Sequence, residues 1–196
     1  VVNEDRFGIM RPTKVNSKEA KLIFDVWSYQ NKKNIKAALP LILESKRIFD
    51  IGSNCGFLTK EIIDEGYSGE IILFEPIPNL ITLSKKLLRK TKNKKYFYNF
   101  ALGDKTDNLK LFLPDNNNIG WITAIKQKTN STSTLKVVQE DTSIYIKKFK
   151  PDFCKIDVEG YEYPILMKFI DEISDNYKPS FLLELGWGVS NPYWEK

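Results

Sequence analysis

The stretch I48-F-D-I-G-S-N-C-G-F57 decides the fold. RIFDIGS reads as a short buried strand that runs into a glycine-bearing turn. Asp50 ends the strand, and Gly52 and Gly56 frame the turn. FLTKEIIDEG then reads as a helix, with Phe57, Leu58, Ile62 and Ile63 on one face and Gly66 as its stop. Glycines at such a turn reach positive φ and let the backbone approach a ligand closely. The helix start adds N–H groups with no partner inside the helix. The spacing is G-x-x-x-G, so it fits neither a G-x-G-x-x-G pyrophosphate loop nor a G-x-x-x-x-G-K-[ST] phosphate loop.

The same grammar repeats on the C-terminal side. EIILFEP (70–76) is a second strand closed by Pro76, and NLITLSKKLLRK (79–90) a second amphipathic helix. KYFYNFAL (95–102) is a third strand. Strand–helix–strand–helix–strand predicts a parallel sheet with right-handed crossovers. The segment 104–146 departs from it. LKLFL, WITAI and TLKVVQE read as strands, separated by the polar loops PDNNNIG and KQKTNSTST. This predicts a β-rich insertion whose 127–134 loop is mobile. The α/β grammar returns with the strand and turn PDFCKIDVEG (151–160), a helix opened by Pro164, and the strand SFLLELGWG (180–188). On the N-terminal side, 16–45 reads as helical, with an Asn16/Glu19 capping box and a break or second helix start at Pro40. The whole chain, 1–196, is read as one domain: a helical segment over 1–45 and an α/β core over 46–196 that carries the insertion.

At 196 residues, 42% hydrophobic and 28% charged, the chain can build its own core without disulfide or metal. Histidine is absent, which removes Ser-His-Asp and Cys-His catalysis, His-based zinc sites and an imidazole base. Two cysteines, Cys55 and Cys154, make neither a disulfide scaffold nor a four-cysteine zinc site, and both read as packing residues. No apolar run approaches the roughly 18 residues of a membrane helix, and VVNEDRFGIMRP does not read as a signal peptide. The expected compartment is the reducing cytoplasm. A first residue other than Met suggests a trimmed chain or a domain of a larger polypeptide. The net charge of +5 is Lys-rich and scattered, so it permits a polyanionic partner without requiring one.

Glu75 stands at the tip of the second strand, roughly 20 residues after the glycine turn, where an acid can accept both hydroxyls of a ribose. A ribose acceptor without a pyrophosphate loop suggests a nucleoside-type cofactor such as S-adenosylmethionine.

FDIGSNCGFLTK, FEPIPNL, NFALGD and FCKIDVEGYEYPIL occur in that order. Together they resemble the FkbM family of S-adenosylmethionine-dependent O-methyltransferases, over residues 47–173. The resemblance implies a Rossmann-like class I methyltransferase fold: a mostly parallel sheet with helices on both faces, and the insertion before its fourth core strand. It implies that Asp50, Gly52, Ser53, Asn54 and Gly56 form the methionine and ribose pocket, that Glu75 takes the ribose hydroxyls, and that Ala101 lies beside the adenine with Leu102 as a further wall. Class I methyltransferases carry a further helix and hairpin after the strand matched by FLLEL. Either the sequence stops short of them or the 104–146 strands complete that edge.

In F153-C-K-I-D-V-E159, alternation puts Phe153, Lys155 and Asp157 on one face. Asp157 falls at the carboxyl end of its strand, as Asp50 does on the first, so the two tips are expected to converge on one crevice. An alkyl hydroxyl is a poor nucleophile until a base or metal takes its proton. Without histidine, Asp157 is the first choice of base. Lys155 is a charge partner for it or an orienter of the acceptor, and Glu159 and Glu162 are weaker candidates. Asp157 with Glu184 offers two oxygen ligands that suit a hard cation such as Mg²⁺, a thin case on two carboxylates. Trp121, Tyr161, Trp187, Tyr193 and Trp194 are candidates for a sugar-stacking rim.

The expected function is methyl transfer to a hydroxyl of a sugar, glycan or other small molecule. Two alternatives stand beside it. One is a nucleic-acid methyltransferase, suggested by the Lys-rich stretches 85–95 and 147–150 but disfavoured by scarce Arg and no stacking motif. The other is a non-catalytic S-adenosylmethionine-binding module.

Overall fold

The computed structural model describes residues 3–4, 10–11, 35–113, 122–126 and 133–184. Residues 16–34 of the expected helical stretch 16–45, the Asn16/Glu19 box, residues 127–132 of the 127–134 loop expected to be mobile, and all of 185–196 lie outside the described residues. Trp121, Trp187, Tyr193 and Trp194 lie outside them too.

Near the N-terminus, β1 (Asn3–Glu4) pairs antiparallel with β2 (Met10–Arg11). Helix α1 (residues 35–44) runs through Pro40 without a break. Its buried stripe of Ile35, Ala38 and Ile42 packs on the core, and that contact outweighs the local preference of proline.

The core is a five-stranded parallel sheet in the order β10-β9-β3-β4-β5. Its strands are β3 (Arg47–Ile51), β4 (Glu70–Phe74), β5 (Lys95–Tyr98), β9 (Phe153–Ile156) and β10 (Ser180–Leu183). Each side chain's face follows from the period-2 alternation. Ile48, Ile71, Leu73 and Phe153 pack against α1, α2 (Phe57–Asp64) and α3 (Pro78–Leu87) through Ile42, Ile62 and Ile81. Phe49, Ile51, Ile72, Phe74, Cys154 and Ile156 pack on the opposite face. There they meet Ile146 and Phe149 of α4 (Thr142–Phe149) and Ile165 and Phe169 of α5 (Glu162–Glu172). Helices thus cover both faces, and the α/β expectation holds.

The chain steps from β3 to β4 to β5 in one direction, then returns to place β9 on the other side of β3. That reversal is the switch point of the sheet, where open α/β folds bind ligands at the carboxyl ends of the strands. It lies between the tips that carry Asp50 and Asp157.

The insertion forms its own three-stranded sheet, in the order β6-β8-β7, from β6 (Ala101–Gly103), β7 (Asp107–Phe112) and β8 (Thr134–Asp141). Its inner face, Ala101, Leu111 and Val137, packs over Ile77 and Leu80 beside the glycine turn at Cys55. Around the insertion the structure differs from the sequence reading in three places. The stretch 95–102 is not one strand. The Asn99 amide donates to the carbonyls of Glu75 and Pro76, at 2.9 and 3.0 Å, and the chain leaves one sheet for the other there. Residues 142–149 are a helix, because Asp141 caps it by accepting from the Ser143 N–H and because Ile146 and Phe149 find the core. WITAI forms no extended strand in its described part, where only Thr123 bridges to Phe112. Of the two alternatives left open for the edge after FLLEL, the insertion strands do not complete it: among the described residues they do not continue the main sheet beyond β10.

Candidate active site

The turn after β3 is set by its backbone. Gly52, Asn54 and Gly56 have φ of 73°, 50° and 81°, and two of these three are glycine, which carries no Cβ penalty there. A Cβ on Gly52 would stand 2.0 Å from the Asp157 carbonyl oxygen, so the β3 and β9 turns touch backbone to backbone. The N–H groups of Gly52 and Ser53 both donate to the Phe74 carbonyl at 3.0 Å.

Glu75 is buried and receives two backbone bonds, from the Asn54 N–H to Oε2 and from the Ile77 N–H to Oε1, each 2.9 Å. Burial pushes its carboxyl up to about 7, and those two N–H bonds pull only partly against it. A carboxylate offers about four acceptor positions, so two remain for hydroxyl donors. Ser53 Oγ is buried and has no hydrogen-bond partner among the described residues. This donor-turn chemistry fits a nucleoside sulfonium: left-handed backbone for close approach, an acid with spare acceptor positions, and an unpartnered hydroxyl. Ala101 is buried in the same cluster as Ile77, the residue whose N–H donates to Glu75.

Asp50 is turned into the fold. Its Oδ2 accepts from Thr59 Oγ1 of α2, and its Oδ1 lies 3.5 Å from Lys155 Nζ. Lys155, its register partner on β9, is also buried. The Lys155 ammonium donates to the Gly52 carbonyl at 2.7 Å and lies 3.4 Å from Asp157 Oδ2. Burial alone would push this ammonium down, but the Asp157 and Asp50 carboxylates outweigh it and hold the group above the ordinary lysine value. Lys155 is therefore a retained cation and not a proton acceptor.

Asp157 is part-exposed, with 32% of its side chain open. Glu184 follows directly on β10, the strand paired with β9, and lies within electrostatic reach of Asp157. The Asp157 charge first, then burial, push the Glu184 carboxyl above its ordinary range. Among the described residues no three His, Cys, Asp or Glu side chains gather to hold a metal ion. The Mg²⁺ expectation on Asp157 and Glu184 gains no third ligand there.

The turn after β9 is strained and braced. Glu159 has φ 55° and Gly160 φ 100°. Glu162, fully buried at the start of α5, accepts from the N–H groups of Val158 and Gly160 at 3.2 and 2.8 Å, so its acid braces the turn. Tyr161 is buried. Thr123 of the insertion donates from Oγ1 to the Glu159 carbonyl at 2.6 Å. Sequence reasoning misses Thr123, which stands in no motif, and reads Asn99, the first residue of NFALGD, only as part of a strand. Cys55 is inert: burial pushes its thiol up to about 12.

Fold and site together define a Rossmann-like methyltransferase. A sequence model of the Methyltransferase FkbM domain matches residues 50–189, and the chain belongs to that family. No curated protein and no solved structure matches the chain. No described helix is long and apolar enough to cross a membrane.

Proposed function

We propose that the chain is an S-adenosylmethionine-dependent O-methyltransferase that acts on a hydroxyl of a sugar or glycan. One observation carries the reading: the donor turn with Glu75 and the Asp157–Glu184 pair meet at the β3–β9 switch point, locked backbone to backbone. Gly52, Ser53, Asn54, Gly56 and Glu75 would hold the donor, with Asp50 fixing the strand tip beneath and Ala101 beside the adenine. When bound, the donor supplies an electrophilic methyl on a sulfonium.

The chain's own residues supply orientation and a proton acceptor. Asp157 takes the hydroxyl proton of the acceptor as its oxygen becomes the nucleophile. Glu184, whose carboxyl the Asp157 charge raises, is the neighbouring group that can share that proton. Glu159, two residues after Asp157 on a turn whose carbonyl Thr123 holds, is the next carboxylate to test. Part-exposed carboxylates suit a neutral hydroxyl and repel a phosphate or carboxylate beside the reacting oxygen. That favours neutral sugars over nucleic acid. The test is a screen of S-adenosylmethionine with neutral mono- and oligosaccharides, read by mass. Methylated products that disappear in Asp157→Asn support the reading. Tight donor binding with no product from any hydroxyl compound would favour the binding-module alternative.

A further inference from the structure

Lys155 sits in the middle of a buried parallel strand, where an ammonium is costly unless every donor is used. It has three N–H donors. Its partners come from both walls of the crevice. On the donor side are the Gly52 carbonyl at 2.7 Å, the Ile51 carbonyl at 3.3 Å and Asp50 Oδ1 at 3.5 Å. On the acceptor side is Asp157 Oδ2 at 3.4 Å. The Gly52 carbonyl belongs to the residue whose φ of 73° opens the donor turn. Asp157 in turn donates its N–H to the Ile51 carbonyl at 3.2 Å.

We propose that Lys155 is a positioning residue: one buried ammonium fixes the peptide orientation of the donor turn and the carboxylate of Asp157 together. Donor and proton acceptor are then held at one separation by a single group. A cation buried only for stability would need its carboxylates but not the short bond to the Gly52 carbonyl. Because the ammonium stays charged, it moves no proton itself. The acceptor-side half of this inference rests on Asp157 as the base. The donor-side half stands on binding alone.

The test compares the wild type, Lys155→Gln, Asp157→Asn and the double variant. Calorimetry with S-adenosylhomocysteine reads the donor side. Lys155→Gln is expected to weaken binding about tenfold, and Asp157→Asn by less than about threefold. The rate reads the acceptor side. Lys155→Gln is expected to lower kcat about 10- to 100-fold in the wild-type background, but less than about threefold on the Asp157→Asn background. Equal losses in both backgrounds, or unchanged S-adenosylhomocysteine affinity in Lys155→Gln, would overturn the proposal. If Lys155→Gln does not fold, Lys155→Arg replaces it in the same comparison and is read by the same two criteria. If the wild type binds S-adenosylhomocysteine but methylates nothing, the functional reading fails while the binding arm still decides the role of Lys155.

Discussion

Gly52→Ala gives the sharpest prediction, because two separate penalties meet at one atom. The residue has φ 73°, and an alanine in the left-handed region costs about 1–2 kcal/mol. The added Cβ would also stand 2.0 Å from the Asp157 carbonyl oxygen and 3.0 Å from its carbon. The obstacle is backbone, so no rotamer change relieves it. Ordinary contact begins at 3.4 Å, so the two turns must part by about 1.4 Å, and overpacking of this kind adds about 1–3 kcal/mol. The sum is about 2–5 kcal/mol of stability. A displacement near 1 Å between donor turn and base also costs about 10²-fold in rate. Gly66→Ala is the control. Its φ is 103°, but a Cβ there meets nothing within 4 Å, so it carries the strain without the collision. Thermal unfolding and S-adenosylhomocysteine calorimetry on both variants separate the penalties. Gly66→Ala should lose about 1–2 kcal/mol and bind normally. Gly52→Ala should lose more and bind at least about tenfold more weakly. Equal behaviour of the two variants would refute the reasoning.

Glu75→Ala should weaken donor binding by about 1–3 kcal/mol in calorimetry, since it removes the acid with spare acceptor positions. Glu75 also sets a pH dependence. Its carboxyl stands at about 7 when folded, above the unfolded value of about 4.3. The folded state therefore keeps a proton that the unfolded chain has released. Stability from this group is full below that window and is lost as pH rises through about 7. Donor affinity that needs the carboxylate runs the other way and should fall between pH 8 and 6 in wild type but not in Glu75→Ala. Thr123→Val removes the bond to the Glu159 carbonyl, and the acceptor KM should rise several-fold while S-adenosylhomocysteine affinity holds. EDTA should leave turnover unchanged; inhibition reversed by Mg²⁺ would place a cation on Asp157 and Glu184.

The sequence was legible where chemistry is local. The strand Arg47–Ile51, the left-handed turn at Gly52 and Gly56, and Glu75 at the next tip all follow from short patterns. The face of Lys155 follows from alternation alone. What escaped depends on distant contacts. TSIYIKKF extends a β-favouring run, and only the Asp141–Ser143 cap and the core beneath Ile146 and Phe149 make it helical. KYFYNFAL reads as one strand until the Asn99 amide finds the carbonyls of Glu75 and Pro76. Glu184 feels the Asp157 charge only because β10 lies beside β9, a pairing no local signal sets. Thr123 reaches Glu159 from inside the insertion, across 36 residues.

The most direct measurement uses S-adenosylmethionine carrying a deuterated methyl group, with the wild-type chain and a panel of neutral glycans. The product is analysed by mass and NMR for the atom that bears the label. The account predicts the labelled methyl on a hydroxyl oxygen, together with release of S-adenosylhomocysteine and loss of about 10²–10⁴ in rate on Asp157→Asn. Label on nitrogen, label on RNA in preference to glycan, or an undiminished rate in Asp157→Asn would contradict it.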